Sequence, residues 1–145
     1  MAAALFRHAL GAQNGPVRSL EVVSAGLSAL HGYPPSANAV QALQKVGITL
    51  NQHRSQRLTQ ELLNRALVVF CMTEGHRALI DLQFDPPPQR LHLMREFLQD
   101  GEREIADPFG MGIASYESSR DSMVEAIPSL VAYVRSLVDP NAPAL

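Results

Sequence analysis

The one cysteine of the chain, Cys71, stands six residues before Arg77, and the stretch between them, Met72-Thr73-Glu74-Gly75-His76, follows an apolar run and opens a helical pattern. Cysteine and arginine at this spacing suit thiolate attack on a phosphomonoester. Amides at a helix N-terminus depress the thiol pKa and bind the phosphate dianion, while the guanidinium forks onto two phosphoryl oxygens. Three features speak against that chemistry here. Glu74 sets a carboxylate inside the cradle, Ala78 follows Arg77 where a hydroxyl would steady the thiolate, and Cys71 lies in the longest apolar run of the chain, 66–72. With eleven arginines in 145 residues, a lone cysteine meets this spacing by chance roughly one time in thirteen. Cys71 therefore reads as a small buried hydrophobe.

The other polar candidates are sparser. Asp107 precedes Pro108, a pair that in any loop serves turn chemistry. His53 lies in Gln52-His53-Arg54-Ser55 and reads, on its own, as a loop histidine bonded to backbone; Ser24 reads as the end of a strand. His76 and Glu74 suit a cap and a first-turn charge. No Cys/His cluster has metal-ligand spacing, so no metal site is expected.

Composition narrows the class. Charges sum to 12 − 14 = −2, so the broad basic face of a nucleic-acid binder is not expected. The longest apolar run is far below the ~18 to 20 residues of a membrane span. Arg7 and His8 come after Leu5 and Phe6 rather than before an apolar stretch, against a secretory signal, and a cytoplasmic protein is expected.

These residues need elements to place them. Met1, Leu5, Ala9 and Leu10 share one helical face that Gly11 closes, with no capping residue ahead. A short buried strand is expected at 21–23. Ser36 caps a helix with Ala39, Val40, Leu43 and Val46 inward, closed by Gly47, and Thr59 caps a short one to Arg65. Residues 66–72 form the strongest strand signal, apolar on both faces; Thr73 then begins a helix to about Leu82. Leu91 and Leu93 alternate in a short strand, 95–116 reads mostly as loop, and a last helix carries Met123, Ile127, Leu130, Val134 and Leu137 on one face. Pro128 inside it predicts a kink. The alternation predicts an α/β fold: a parallel sheet in a three-layer sandwich, one domain over 1–138, a disordered tail at 139–145, and any site at the carboxyl ends of the strands.

From Met1 to about Leu137 the chain resembles the low molecular weight protein tyrosine phosphatase family. The resemblance rests on the order and spacing of Met1-Ala2-Ala3-Ala4-Leu5-Phe6-Arg7, Ser24-Ala25-Gly26, Gly47-Ile48 followed by His53-Arg54-Ser55, Met72-Thr73-Glu74-Gly75-His76, and Asp107-Pro108-Phe109-Gly110. It implies hydrolysis of phosphorylated protein side chains without a cofactor. Asp107 would be the general acid, protonating the leaving oxygen and then activating water against a cysteinyl phosphate; Ser24 and His53 would brace the phosphate loop. In the family a central first strand leads into a C-x5-R-[ST] loop and then into the helix that here begins at Met1. That strand, cysteine and arginine are expected to be missing from this chain, which would then be inactive and poorly stable alone. The Cys71 stretch matches a non-catalytic strand and helix, and Tyr116, nine residues after Asp107, fits the branch that includes protein arginine phosphatases.

Three readings of function stand: a family phosphatase whose reading frame starts upstream of Met1, a catalytically dead binding module, and a protein arginine phosphatase. Thioredoxin-coupled arsenate reduction needs a relay of further cysteines and is set aside.

Overall fold

The computed structural model describes residues 1–50 and 52–139, so the expected tail lies, except for Asp139, outside the described residues. The elements in chain order are α1 (Ala2–Gly11), a single 3-10 turn (Pro16–Ser19), α2 (Ala37–Gln44), α3 (Gln60–Arg65), β1 (Val69–Cys71), α4 (Glu74–Gln83), β2 (Leu91–Leu93) and α5 (Ile113–Val138). Three helix starts are set by local side-chain chemistry. Ser36 Oγ accepts the Ala39 amide at 3.3 Å, Thr59 Oγ1 the Leu62 amide at 3.3 Å and Thr73 Oγ1 the His76 amide at 3.1 Å, each cap contributing about 1 kcal/mol. At α1 no side chain caps; the Met1 carbonyl takes the amides of Ala4 and Leu5.

The two strands pair in parallel, Val69 with Leu91 and Cys71 with Leu93. Because side chains alternate across a strand, the sheet faces two ways. Val68, Phe70 and Met72 pack into a core with Leu5, Phe6 and Leu10 of α1, Ala42 and Leu43 of α2, and Met123, Leu130 and Val134 of α5. Val69, Cys71, Leu91 and Leu93 pack the other way, against Leu63 of α3 and Ile80 of α4. Helices therefore cover both faces, the expected three layers of an α/β fold.

Several expectations are corrected. Residues 21–23 form no strand. The chain there is extended, with Leu20, Val22 and Ser24 half-buried between exposed neighbours, but its carbonyls go to side chains: Arg7 Nη2 donates to Val22 O at 2.6 Å and Gln56 Nε2 to Ser24 O at 2.9 Å. Extended backbone becomes a strand only when another strand takes its polar groups. The one bridge nearby joins Gly26 to Arg57 in parallel. The expected strand 66–72 shrinks to three residues because its partner β2 is three residues long. Among the described residues the sheet is two-stranded; of a missing central strand it gives no sign beyond the unpaired backbone of Phe70 on the side of β1 away from β2.

The last helix begins at Ile113 rather than after Tyr116. Ile113 and Tyr116, one turn apart, both pack into the core, which secures the first turn. Pro128 lies inside the helix, as expected. Proline orphans the carbonyl four residues back, here that of Val124, a residue 44% exposed.

Two buried arginines fasten α5 to its neighbours. Arg120 Nη1 donates to the Ala42 carbonyl near the end of α2 at 2.9 Å. Arg95 Nε donates to Glu102 O at 2.6 Å, and its Nη1 to Ser122 O at 2.9 Å and Glu125 Oε2 at 2.6 Å.

Candidate active site

Asp107 lies in the loop that leaves the sheet and leads into α5. Just upstream, the Ile105 amide donates to Met72 O at 2.9 Å, laying the chain beside the carboxyl end of β1. Asp107 itself is exposed, and its Oδ1 accepts the Phe109 amide at 3.0 Å, the Asx turn that Asp-Pro-Phe-Gly favours. The Met111 amide closes onto Pro108 O at 2.9 Å, with Gly110 at φ +78°, a conformation glycine adopts without strain. Phe109, 82% exposed, and Met111, 58% exposed, belong to the same turn. An exposed carboxylate on a tightly turned loop at the sheet's carboxyl end can give and take a proton at a surface-bound substrate.

Ser24 and His53 lie elsewhere. The Gln56 bond to Ser24 O and the Gly26 amide's bond to Gln56 O at 3.0 Å lay residues 24–26 along the loop that follows α2. His53, half-buried in that loop, donates its amide to Leu50 O at 2.9 Å. Its imidazole is held below the usual histidine range, first by burial and then by the positive charges of the Met1 amine, Arg7 and Arg54. His53 thus sits near the start of α1. The Ser24 hydroxyl makes no bond to the described residues. No hydrogen bond links Asp107 to Ser24 or His53 among the described residues.

The Cys71–Arg77 pair is not a phosphate cradle. The thiol is buried, 3.5 Å from His92 O and 3.7 Å from Thr73 O, and burial pushes its pKa up to about 11. A nucleophilic cysteine needs the opposite shift. Arg77 is already committed: its Nη2 pairs closely with Glu96, and its Nε lies 3.4 Å from Glu74 Oε2.

Tyr116 stands apart from the Asp107 loop's exposed face. It is 6% exposed, within the main core, because the phase of α5 turns it inward. Two residues escaped the sequence. Ser119 Oγ donates to Ala106 O at 2.9 Å and Asn38 Nδ2 to Met111 O at 3.2 Å, so both ends of the Asp107 loop are tied down. Among the described residues no group of three His, Cys, Asp or Glu is placed to hold a metal ion, and no helix is long and apolar enough to cross a membrane.

Comparison with known proteins gives these features a family. The profile described as "Low molecular weight phosphotyrosine protein phosphatase" matches residues 1–139, and the chain belongs to that family. Since the match starts at residue 1, it gives no support to the expected loss of a first strand and loop. Among relatives, the chain is 34% identical over 130 residues to a "Protein-arginine-phosphatase" of Geobacillus stearothermophilus, covering 90% of this chain and 83% of that protein. It is 30% identical over 142 residues to the "Probable low molecular weight protein-tyrosine-phosphatase EpsP" of Ralstonia nicotianae, covering 94% and 88%. The solved structure "YwlE arginine phosphatase from Geobacillus stearothermophilus" superposes with a TM-score of 0.81 at 32% identity, over 93% of this chain and 83% of that one.

Proposed function

We propose that this protein hydrolyses phosphomonoesters or phosphoramidates on protein side chains in the cytoplasm, with Asp107 as general acid and then general base. Ser24 and His53 brace a phosphate loop, and no cofactor takes part. The nucleophile and the phosphate-binding arginine belong to a C-x5-R-[ST] loop that is not among these 145 residues, so the 145 residues alone do not turn over. One observation carries this reading: the exposed Asp107 carboxyl is fixed by the Phe109 amide, while the sole cysteine is buried with its thiol pushed up to about 11. An acid is in place and a thiolate is not.

The test is an aryl phosphatase assay on residues 1–145 and on a form carrying the loop ahead of Met1. The short form should be silent. In the longer form Asp107→Asn should cut turnover about 10²- to 10⁴-fold for poor leaving groups and less for good ones, which need little protonation. Equal losses for all leaving groups, or turnover by the short form, overturn the proposal.

Phosphoarginine is the substrate favoured by the 34%-identical relative named an arginine phosphatase. Comparing phosphoarginine and phosphotyrosine peptides with the longer form decides it. A stable short form that captures phosphopeptides without cleaving them would instead make the chain a binding module.

A further inference from the structure

We infer that Ser119 and Asn38 are positioning residues for Asp107: the Ser119 hydroxyl and the Asn38 carboxamide pin the two ends of the acid's loop and so fix the direction of its carboxyl. The inference rests on the role of Asp107 proposed above.

The bonds fall where they constrain Asp107 most. A peptide unit is planar, so the Ala106 carbonyl, the Asp107 nitrogen and the Asp107 Cα move together. By donating to Ala106 O at 2.9 Å, Ser119 Oγ fixes that plane and with it the Asp107 Cα. On the other side Pro108 restricts the backbone of Asp107 to extended conformations, and the Phe109 amide holds the side chain through Oδ1. The turn then returns through Met111, whose carbonyl Asn38 holds from the first turn of α2 at 3.2 Å.

Ser119 is unusual within its own helix. Ser129 and Ser136 donate back to carbonyls three residues earlier, Ala126 and Tyr133, the common resort of a helical serine. Ser119, 6% exposed, reaches off the helix instead. Its anchor is rigid, since the next residue is the buried Arg120 bound to Ala42 O. Asn38 lies on α2, the helix to which Arg120 is bound. The two clamps therefore share one frame, and the loop between them cannot drift at one end without straining the other.

The exchange of the Phe109 amide with solvent, measured by NMR on the 145-residue chain, reads this directly and needs no substrate. Ser119→Ala and Asn38→Ala should each speed it about five- to tenfold, the effect of loosening one hydrogen bond. Ser119→Thr, which keeps the hydroxyl, should restore the parent rate, and the amides of Leu130 and Val134 should not change. Coupling separates positioning from mere support. In an Asp107→Ala background, which removes the acceptor, Ser119→Ala should add nothing to Phe109 exchange. Parent-like exchange in both alanine variants, or a full additive effect in that background, overturns the inference. If Ser119→Ala unfolds the chain, Asn38→Ala at the edge of α2 carries the same test. Leaving-group data can remove Asp107 as an acid without touching this result, and the reverse holds too.

Discussion

The Sγ of Cys71 lies 3.5 Å from the carbonyl oxygen of His92 on the adjoining strand, on the sheet face covered by α3 and α4. With the pKa pushed up to about 11, about one thiol in a thousand is ionised at pH 8, and the thiolate is the reactive species. Iodoacetamide should therefore label the native chain at least about 100-fold more slowly than the urea-unfolded chain. Stoichiometric labelling of folded protein within minutes would show a reactive thiol and reopen the Cys71–Arg77 pair.

Glu96 gathers α4, β2 and, through His92, α5. It accepts from the Leu93 amide at 2.9 Å, meets His92 Nδ1 at 2.9 Å and pairs with Arg77, while His92 Nε2 reaches the Tyr133 hydroxyl at 2.9 Å. Burial pushes the Glu96 carboxyl up, but the bonds from His92, Leu93 and Arg77 outweigh it and hold the group below its ordinary 4.5. A carboxyl lowered on folding stabilises above its unfolded pKa, and that contribution is lost as pH falls through the folded one. Glu96→Gln should cost about 1 to 3 kcal/mol at neutral pH and flatten the acid limb of a melting profile below about pH 4.5. An unchanged acid limb would place the acid sensitivity elsewhere.

Where structure is local, the sequence announces it. Ser36, Thr59 and Thr73 cap helices by bonds to amides three residues on, so residue type and spacing suffice to read them. The Asp107 turn is local in the same sense. Residues 21–23 carry a strand's composition, but a strand is defined by its partner, and here Arg7 and Gln56 take the carbonyls on either side of Val23. The clamps on the Asp107 loop were illegible for the same reason, spanning 13 and 73 residues between unremarkable Ser and Asn side chains.

His53 gives a second pH signature, opposite in charge type. Burial and the nearby Met1 amine, Arg7 and Arg54 lower its pKa from 6.5, so the folded chain binds fewer protons there than the unfolded chain. Stability then rises with pH: this contribution is fully present above about 6.5 and is lost as pH falls from there through the folded value. Arg7→Gln removes one of the cations and should move the imidazole midpoint, followed by NMR, upward toward 6.5. A midpoint at or above 6.5 in the parent, or one unmoved by the substitution, would contradict this reading of the site.

Phe70 tests the edge of the sheet. In a parallel ladder alternate residues bond to alternate sides. Val69 donates to Arg90 O at 2.9 Å and Cys71 accepts from the Met94 amide at 2.8 Å, so both face β2. The amide and carbonyl of Phe70 point the other way and meet no backbone partner among the described residues. Its ring is well packed, edge-on to Phe6 at 6.0 Å and to Tyr133 at 6.3 Å, so side chain and backbone should report different stabilities. An unpaired edge invites a further strand, and buried unpaired groups cost about 1 to 3 kcal/mol each. In the 145-residue chain the Phe70 amide should exchange at least about 100-fold faster than that of Cys71, and the chain should associate as its concentration rises. Equal protection of the two amides in the short chain would mean that another segment already covers this edge, and the expected instability would fall with it.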